Sequence, residues 1–134
     1  HLIKNLAMQS LKKKPSISIY GNNYKTKDGT CIRDYMHISD LTDIHIKTLK
    51  FIYAKSKSLT LNCGYGKGYS VLEIVKIFKN IKKKLIINYL PKRNGDVGQV
   101  YANTEKFKKI LKWKPKYNNI NKIIKSAIKW EASC

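Results

Sequence analysis

The sequence predicts a mixed α/β fold, and three observations carry that prediction. Short β-prone runs alternate with amphipathic segments of helical period, and a glycine-rich stretch leads straight into a helix-capping signature. Hydrophobic residues make up 43% of the 134, enough to bury a core and too many for a disordered chain. In chain order, Leu2, Ile3, Leu6, Ala7 and Leu11 recur on one helical face, and Pro15 ends that helix. Ser16–Tyr20 reads as a strand closed by Gly21-Asn22-Asn23, and a polar loop follows through Asp28-Gly29. Cys31–Ile38 is predicted to be a strand on which Arg33, Tyr35 and His37 share a face. Ser39 then caps a helix whose apolar stripe is Leu41, Ile44, Leu49 and Ile52, with Asp40 and Asp43 at the positive end of its dipole.

Leu59–Asn62 reads as a buried strand running into Gly64-Tyr65-Gly66-Lys67-Gly68. Ser70-Val71-Leu72-Glu73 is a capping box that opens a helix to about Ile81. Leu85–Tyr89 is a third strand, and Pro91–Gly98 a loop. Asn103 caps a short helix ending near Leu111, and Trp113-Lys114-Pro115 stops it. Ile120, Ile123, Ile124, Ala127 and Ile128 give a final amphipathic helix. No repeat or low-complexity linker divides residues 1–134, so the chain reads as one domain or one piece of a larger one. It opens at His1, without Met, inside an apolar-periodic stretch; the expectation is a fragment.

The charge is extreme: 28 basic against 8 acidic residues, a net +20. A polyanion partner is the first reading of such a number. The composition points elsewhere, because 26 of the basic residues are Lys, scattered along the chain with Lys12–Lys14 and Lys82–Lys84 as the longest runs. Ile, Lys and Asn, all encoded by A/T-rich codons, supply 55 residues. A dedicated nucleic-acid binder uses Arg for base edges and phosphates, so no specific nucleic-acid partner is expected. No apolar run approaches the ~20 residues that span a bilayer, which leaves no membrane partner either. Cys31, Cys63 and Cys134 form neither a disulfide framework nor a CxxC pair, which implies a reduced, cytoplasmic protein. His1, His37 and His45 lack metal-ligand spacing, so no metal is expected.

Two motifs fail on inspection. Gly64–Gly68 lies between a predicted strand and a helix, but G-x-G-x-x-G needs glycine where Tyr69 stands, so the loop is read as a structural turn. Tyr53 and Lys57 match Y-x-x-x-K, but nine Tyr among 26 Lys produce about 1.7 such matches by chance. The two arginines are more informative. In a chain that otherwise uses Lys, Arg33 and Arg93 bring a planar, always-charged fork suited to bidentate contact with phosphate or carboxylate. On spacing alone, Arg33–Asp34 and Arg93–Asp96 surface pairs explain them equally well.

Residues 28–41, DGTCIRDYMHISDL, resemble the most specific C-terminal motif of the UDP-glucose 4-epimerases, members of the extended short-chain dehydrogenase/reductase family. HLI at residues 1–3 and SISIYGNNYKTKDGT at residues 16–30 resemble the segments before that motif. LNCGYGKGYSVLEI (residues 61–74), KRNGDVGQVYAN (residues 92–103) and LKWKP (residues 111–115) resemble those after it. The resemblance implies the C-terminal substrate-binding portion of an extended short-chain dehydrogenase, a Rossmann-type fold. Its NAD-binding half, with glycine-rich loop and catalytic Tyr/Lys pair, would then lie before His1. It implies an isomerase of galactose metabolism that interconverts UDP-glucose and UDP-galactose by NAD-dependent oxidation and reduction at C4. This portion would grip the UDP-hexose, hold no catalytic residue, and form part of a homodimer at full length.

The same resemblance assigns roles residue by residue. Arg33 and Arg93 match positions that contact the diphosphate, and Asp96 one that contacts the ribose. His1, Leu2, Ser18 and Tyr20 match segments lining the uridine pocket, and Asp28, Asp34 and His37 are read as structural supports. Val100 matches a position beside the sugar, where a small side chain admits N-acetylhexosamines; a one-residue slip would put Tyr101 there instead. Rival readings are a sister nucleotide-sugar dehydratase or decarboxylase, a basic nucleic-acid-binding module, and a non-catalytic remnant.

Overall fold

A computed structural model describes residues 1–82 and 84–134, so Lys83, inside the Lys82–Lys84 run, lies outside the described residues. Ten elements follow one another: α1 (Leu2–Ser10), β1 (Ser16–Tyr20), β2 (Ile32–Asp34), α2 (Ile38–Lys55), β3 (Gly68–Ser70), α3 (Val71–Ile81), β4 (Ile86–Leu90), β5 (Gln99–Val100), α4 (Glu105–Leu111) and α5 (Ile120–Ser133). The strands form two small sheets. In one, β1 and β4 run parallel, in register from Ser16↔Ile86 to Tyr20↔Leu90. In the other, β2 lies at the centre, antiparallel to β3 and parallel to β5, with Arg33 opposite Val100.

Burial follows the periodicities that the sequence announces. On β1 only Ile17 and Ile19 face inward, as alternation requires. They meet Leu6 of α1, Ile74 and Phe78 of α3 and Ile124 of α5 in one core. The capping box is intact: Ser70 Oγ accepts from Glu73 N at 3.0 Å, and Ser70 N donates to Glu73 Oε2 at 2.7 Å. Asn119 caps α5 by accepting from Lys122 N at 3.1 Å. Asn103 also accepts from a helix-start amide, Glu105 N at 3.0 Å, although Thr104 holds the cap position.

Four expectations are corrected. The strand predicted over Cys31–Ile38 stops at Asp34, where its pairing partners end. The cap of α2 is His37 rather than Ser39: the His37 ring nitrogen Nδ1 accepts from Ser39 N at 3.1 Å. Leu49 is 67% exposed and does not join the buried stripe. Leu59–Asn62 is neither buried nor a strand, because no described strand lies beside it to complete a ladder. The acids of α2 also act beyond the dipole. Asp43 accepts from Trp113 Nε1 at 2.9 Å, and buried Asp40 accepts from Tyr65 Oη at 2.6 Å and from the amides of Lys116 and Tyr117.

Candidate functional site

The loops that leave β1 and β4 run side by side, since Gly21 N donates to Leu90 O at 2.8 Å and so extends the parallel ladder. This places Tyr20, the last residue of β1, beneath the residues after β4. The Arg93 guanidinium lies over the Tyr20 ring, 3.6 Å from its centroid, a cation–π contact that fixes the plane of the fork. Arg93 O accepts from Asp96 N, which turns the loop back, and the Asp96 carboxylate then stands 3.8 Å from Arg33 Nη2. Arg33 is steadied from the other side by donating Nη1 to Ile32 O at 2.8 Å. The fold therefore gathers Tyr20, Arg33, Arg93 and Asp96 into one cluster from residues more than 70 positions apart. The ion pair it makes is Arg33–Asp96, not the Arg33–Asp34 or Arg93–Asp96 pair that spacing offered.

Asp34 is unavailable to Arg33 because the glycine loop uses it. Its carboxylate accepts from Tyr65 N at 3.1 Å and Gly66 N at 2.9 Å, with a longer contact to Ala102 N at 3.4 Å. Gly64 packs directly on that carboxylate, leaving no room for a Cβ, and Gly66 holds a φ of +73°. Two of the loop amides, those of Tyr65 and Gly66, are thus already satisfied inside the protein by a carboxylate where a dinucleotide pyrophosphate would sit, so the loop does not fit NAD. Asp28 is likewise a strut, accepting from Thr30 N, Thr30 Oγ1 and Ser70 Oγ. Burial alone would raise its pKa, but these hydroxyls and amide, with the charge of Lys76, hold the carboxyl below its usual range. Tyr35, beside Arg33 in sequence, is pushed up to about 12 by burial, against the pull of the Arg33 charge. His37 stacks on Tyr117 with ring centroids 4.6 Å apart.

The remaining sequence-derived residues are more dispersed. Ser18 lies mid-strand on β1 opposite Asn88, on the face away from Ile17 and Ile19. Val100 pairs with Arg33 across β2 and β5 and is 52% exposed, so it borders the arginine cluster; Tyr101 beside it is also exposed. His1 and Leu2 begin α1, where Leu2 packs against the core and His1 O accepts from Asn5 N. No hydrogen bond or ion pair among the described residues ties them to the cluster. Sequence reasoning missed Tyr24 and Lys92: the Lys92 ammonium lies 4.4 Å from the Tyr24 ring centroid and donates to Asn23 O. One lysine among 26 and one tyrosine among nine carry no local signal. Cavities of about 370 Å³ beside Asp40 and Tyr117 and about 380 Å³ beside Thr60 and Asn103 lie elsewhere. In the arginine cluster Arg93 is exposed, and the side chains of Arg33 and Asp96 are 30% and 35% exposed. Among the described residues, no cluster of metal-ligating side chains is present, and no helix is long and apolar enough to cross a membrane.

A family model described as GDP-mannose 4,6 dehydratase matches residues 1–126. The chain belongs to this family. Several relatives that resemble the chain are 4-epimerases. The UDP-glucose 4-epimerase of Azospirillum brasilense is 39% identical over 134 residues, covering 99% of this chain and 38% of that protein. The UDP-Glc/GlcNAc 4-epimerase structure from Campylobacter jejuni superposes with a TM-score of 0.86 at 35% identity, over 99% of this chain and 40% of that one. The UDP-glucose 4-epimerase of Bifidobacterium longum, solved with NAD+ and UDP, superposes at 0.87 with 30% identity, over 99% and 39% respectively. The chain thus spans about 40% of the length of the relatives it matches, and its family membership and α/β fold agree with the resemblance drawn from its motifs.

Proposed function

We propose that this chain is the C-terminal, nucleotide-gripping portion of a UDP-glucose 4-epimerase, and that Arg33 and Arg93 hold the diphosphate of a UDP-hexose. The observation that carries this reading is the convergence of two arginine forks in one cluster, each fixed in orientation, Arg33 by Ile32 O and Arg93 by the Tyr20 ring. A diphosphate offers two anionic groups to two planar donors, the pairing for which Arg is better shaped than Lys. Asp96, 3.8 Å from Arg33, is an acceptor for the adjoining ribose hydroxyls. Ser18 and Tyr20 of β1, with His1 and Leu2 at the start of α1, are assigned to the uridine side. NAD, held by an N-terminal Rossmann domain outside this chain, would supply the hydride chemistry at C4; the residues here bind and orient the nucleotide. The complete enzyme is read as cytoplasmic, in keeping with three free cysteines, and as a homodimer. A dehydratase of the same architecture is the second reading, favoured by the description of the family model.

Calorimetric titration of the 134-residue chain tests this directly. Saturable binding of UDP and none of NAD is expected, with Arg33→Lys and Arg93→Lys each weakening UDP by about 1–3 kcal/mol through loss of the fork. Saturable NAD binding, or Lys variants that hold UDP as tightly as the parent, would overturn the assignment. Sugar choice is proposed to rest on Val100, whose small side chain leaves room beside the hexose. In the complete enzyme, Val100→Tyr should suppress turnover of a UDP-N-acetylhexosamine while sparing UDP-glucose. Equal loss on both substrates would remove Val100 from that role.

A further inference from the structure

The two arginines belong to different sheets. Arg93 follows β4 of the β1–β4 pair, while Arg33 lies on β2 of the three-stranded sheet, and no strand ladder joins the two among the described residues. The Asp96 carboxylate reaches from the Arg93 loop to Arg33 at 3.8 Å, and the Tyr24 ring packs between the ends of that loop, against Gly21 and Gly98. On one side it meets Gly21, at the end of β1: a Cβ there would stand 2.5 Å from Tyr24 Cε2 and 2.6 Å from Lys92 Cγ. On the other it meets Gly98, just before β5, where a Cβ would stand 3.5 Å from Tyr24 Cδ1. Gly21, at φ +78°, bonds to Leu90 O of the first sheet; Gly98 O accepts from Ile32 N of the second. Lys92, the neighbour of Arg93, closes over the ring face and is tied to Asn23 O at 3.1 Å. The hydroxyl lies beside the Cys31 thiol and, among the described residues, makes no hydrogen bond of ordinary geometry. The flat ring, rather than the phenol oxygen, is what the surroundings grip.

We propose that Tyr24 is a positioning residue, a spacer between the two sheets that sets the separation of Arg33 and Arg93 so that the pair fits a diphosphate rather than a monophosphate. The inference rests on reading the arginine cluster as a diphosphate grip. A guanidinium fork is effective only when both its donors reach their acceptors, so a shift of the Arg93 loop disables one fork and leaves the other.

The test titrates the parent 134-residue chain, Tyr24→Phe and Tyr24→Ala with UDP and with UMP, and follows amide hydrogen exchange at Gly21, Ile32 and Glu73. Tyr24→Ala should lower UDP affinity at least about tenfold and UMP affinity by less than about twofold, and Tyr24→Phe should match the parent. Exchange at Gly21 and Ile32 should accelerate in the Ala variant, while Glu73, in the α3 capping box, stays protected. An unchanged UDP-to-UMP ratio in Tyr24→Ala, equal loss of both nucleotides, or unchanged exchange at Gly21 and Ile32 would each overturn the spacer. If Glu73 loses protection the fold has failed, and Tyr24→Leu takes the place of the Ala variant with the same expected results. A parent chain that binds neither nucleotide would refute the diphosphate grip itself; exchange at Gly21 and Ile32 would still decide whether Tyr24 braces the sheets.

Discussion

Asp28 ties the loop after β1 to the start of α3, through Thr30 on its own loop and Ser70 at the helix cap. Its folded pKa lies below the ordinary 3.8, because the donors and the Lys76 charge outweigh a burial effect that acts the other way. The folded carboxyl is thus the stronger acid, and an unfolded chain takes up its proton at higher pH. The stabilisation is complete above the unfolded pKa, near 4, and disappears as the pH falls through the lower folded value. Melting temperatures of the parent and Asp28→Asn, measured from pH 6 down to about 2, should therefore differ most above pH 4 and converge in acid. A constant gap across that range would mean that the charge of Asp28 does not matter to the fold. Arg33 teaches a related lesson at the same scale. Its nearest acid in sequence is Asp34, yet the amides of Tyr65 and Gly66 have claimed that carboxylate, and Asp96 answers Arg33 instead.

Helix caps separate elements that share one consensus. Ser70 Oγ both accepts from Glu73 N and donates to Asp28, whereas the Asn119 side chain only caps α5. In urea denaturation Ser70→Ala should cost about 2 kcal/mol, and Asn119→Ala about 1 kcal/mol, the difference being the acceptor left at Asp28. Equal costs would show that the Ser70–Asp28 bond adds nothing. The same elements mark what was legible in the sequence. Ser16–Tyr20 and the Ser70 box were readable because alternation and capping are local signals, complete within five residues. β3 and β5, three and two residues long, are too short to show a period and exist only through pairing with β2. Cys31–Ile38 looked continuous because nothing in its own text announces that the His37 side chain will turn back to cap α2. Arg33 and Arg93 stand out by residue type, but the Tyr20 ring under Arg93 and the Asp96 carboxylate beside Arg33 come from distant parts of the chain, and Tyr24 carries no local signal at all.

At the scale of the whole molecule, the net charge of +20 rests on dispersed lysines, while the arginine cluster is local and partly balanced by Asp96. Long-range attraction to any polyanion follows from the first; selectivity would require the second. Binding to two unrelated oligonucleotides, compared by fluorescence anisotropy, should be weak and equal at about 50 mM salt and vanish by about 200 mM, as counterion release demands. Sequence-selective binding that persists at the higher salt would assign the charge a function of its own.

The Asp34 carboxylate seated on the amides of Tyr65 and Gly66 has one further effect. Because it is joined to the same chain, it competes for those donors as an intramolecular ligand, whose effective concentration far exceeds that of any dissolved metabolite. Free phosphate, nucleotide or carboxylate cannot displace it by mass action. The surface therefore offers an incoming anion one destination instead of two: the loop that most resembles a phosphate cradle already holds a carboxylate of its own, which leaves the arginines, with Asp96 beside Arg33 as a far looser internal competitor.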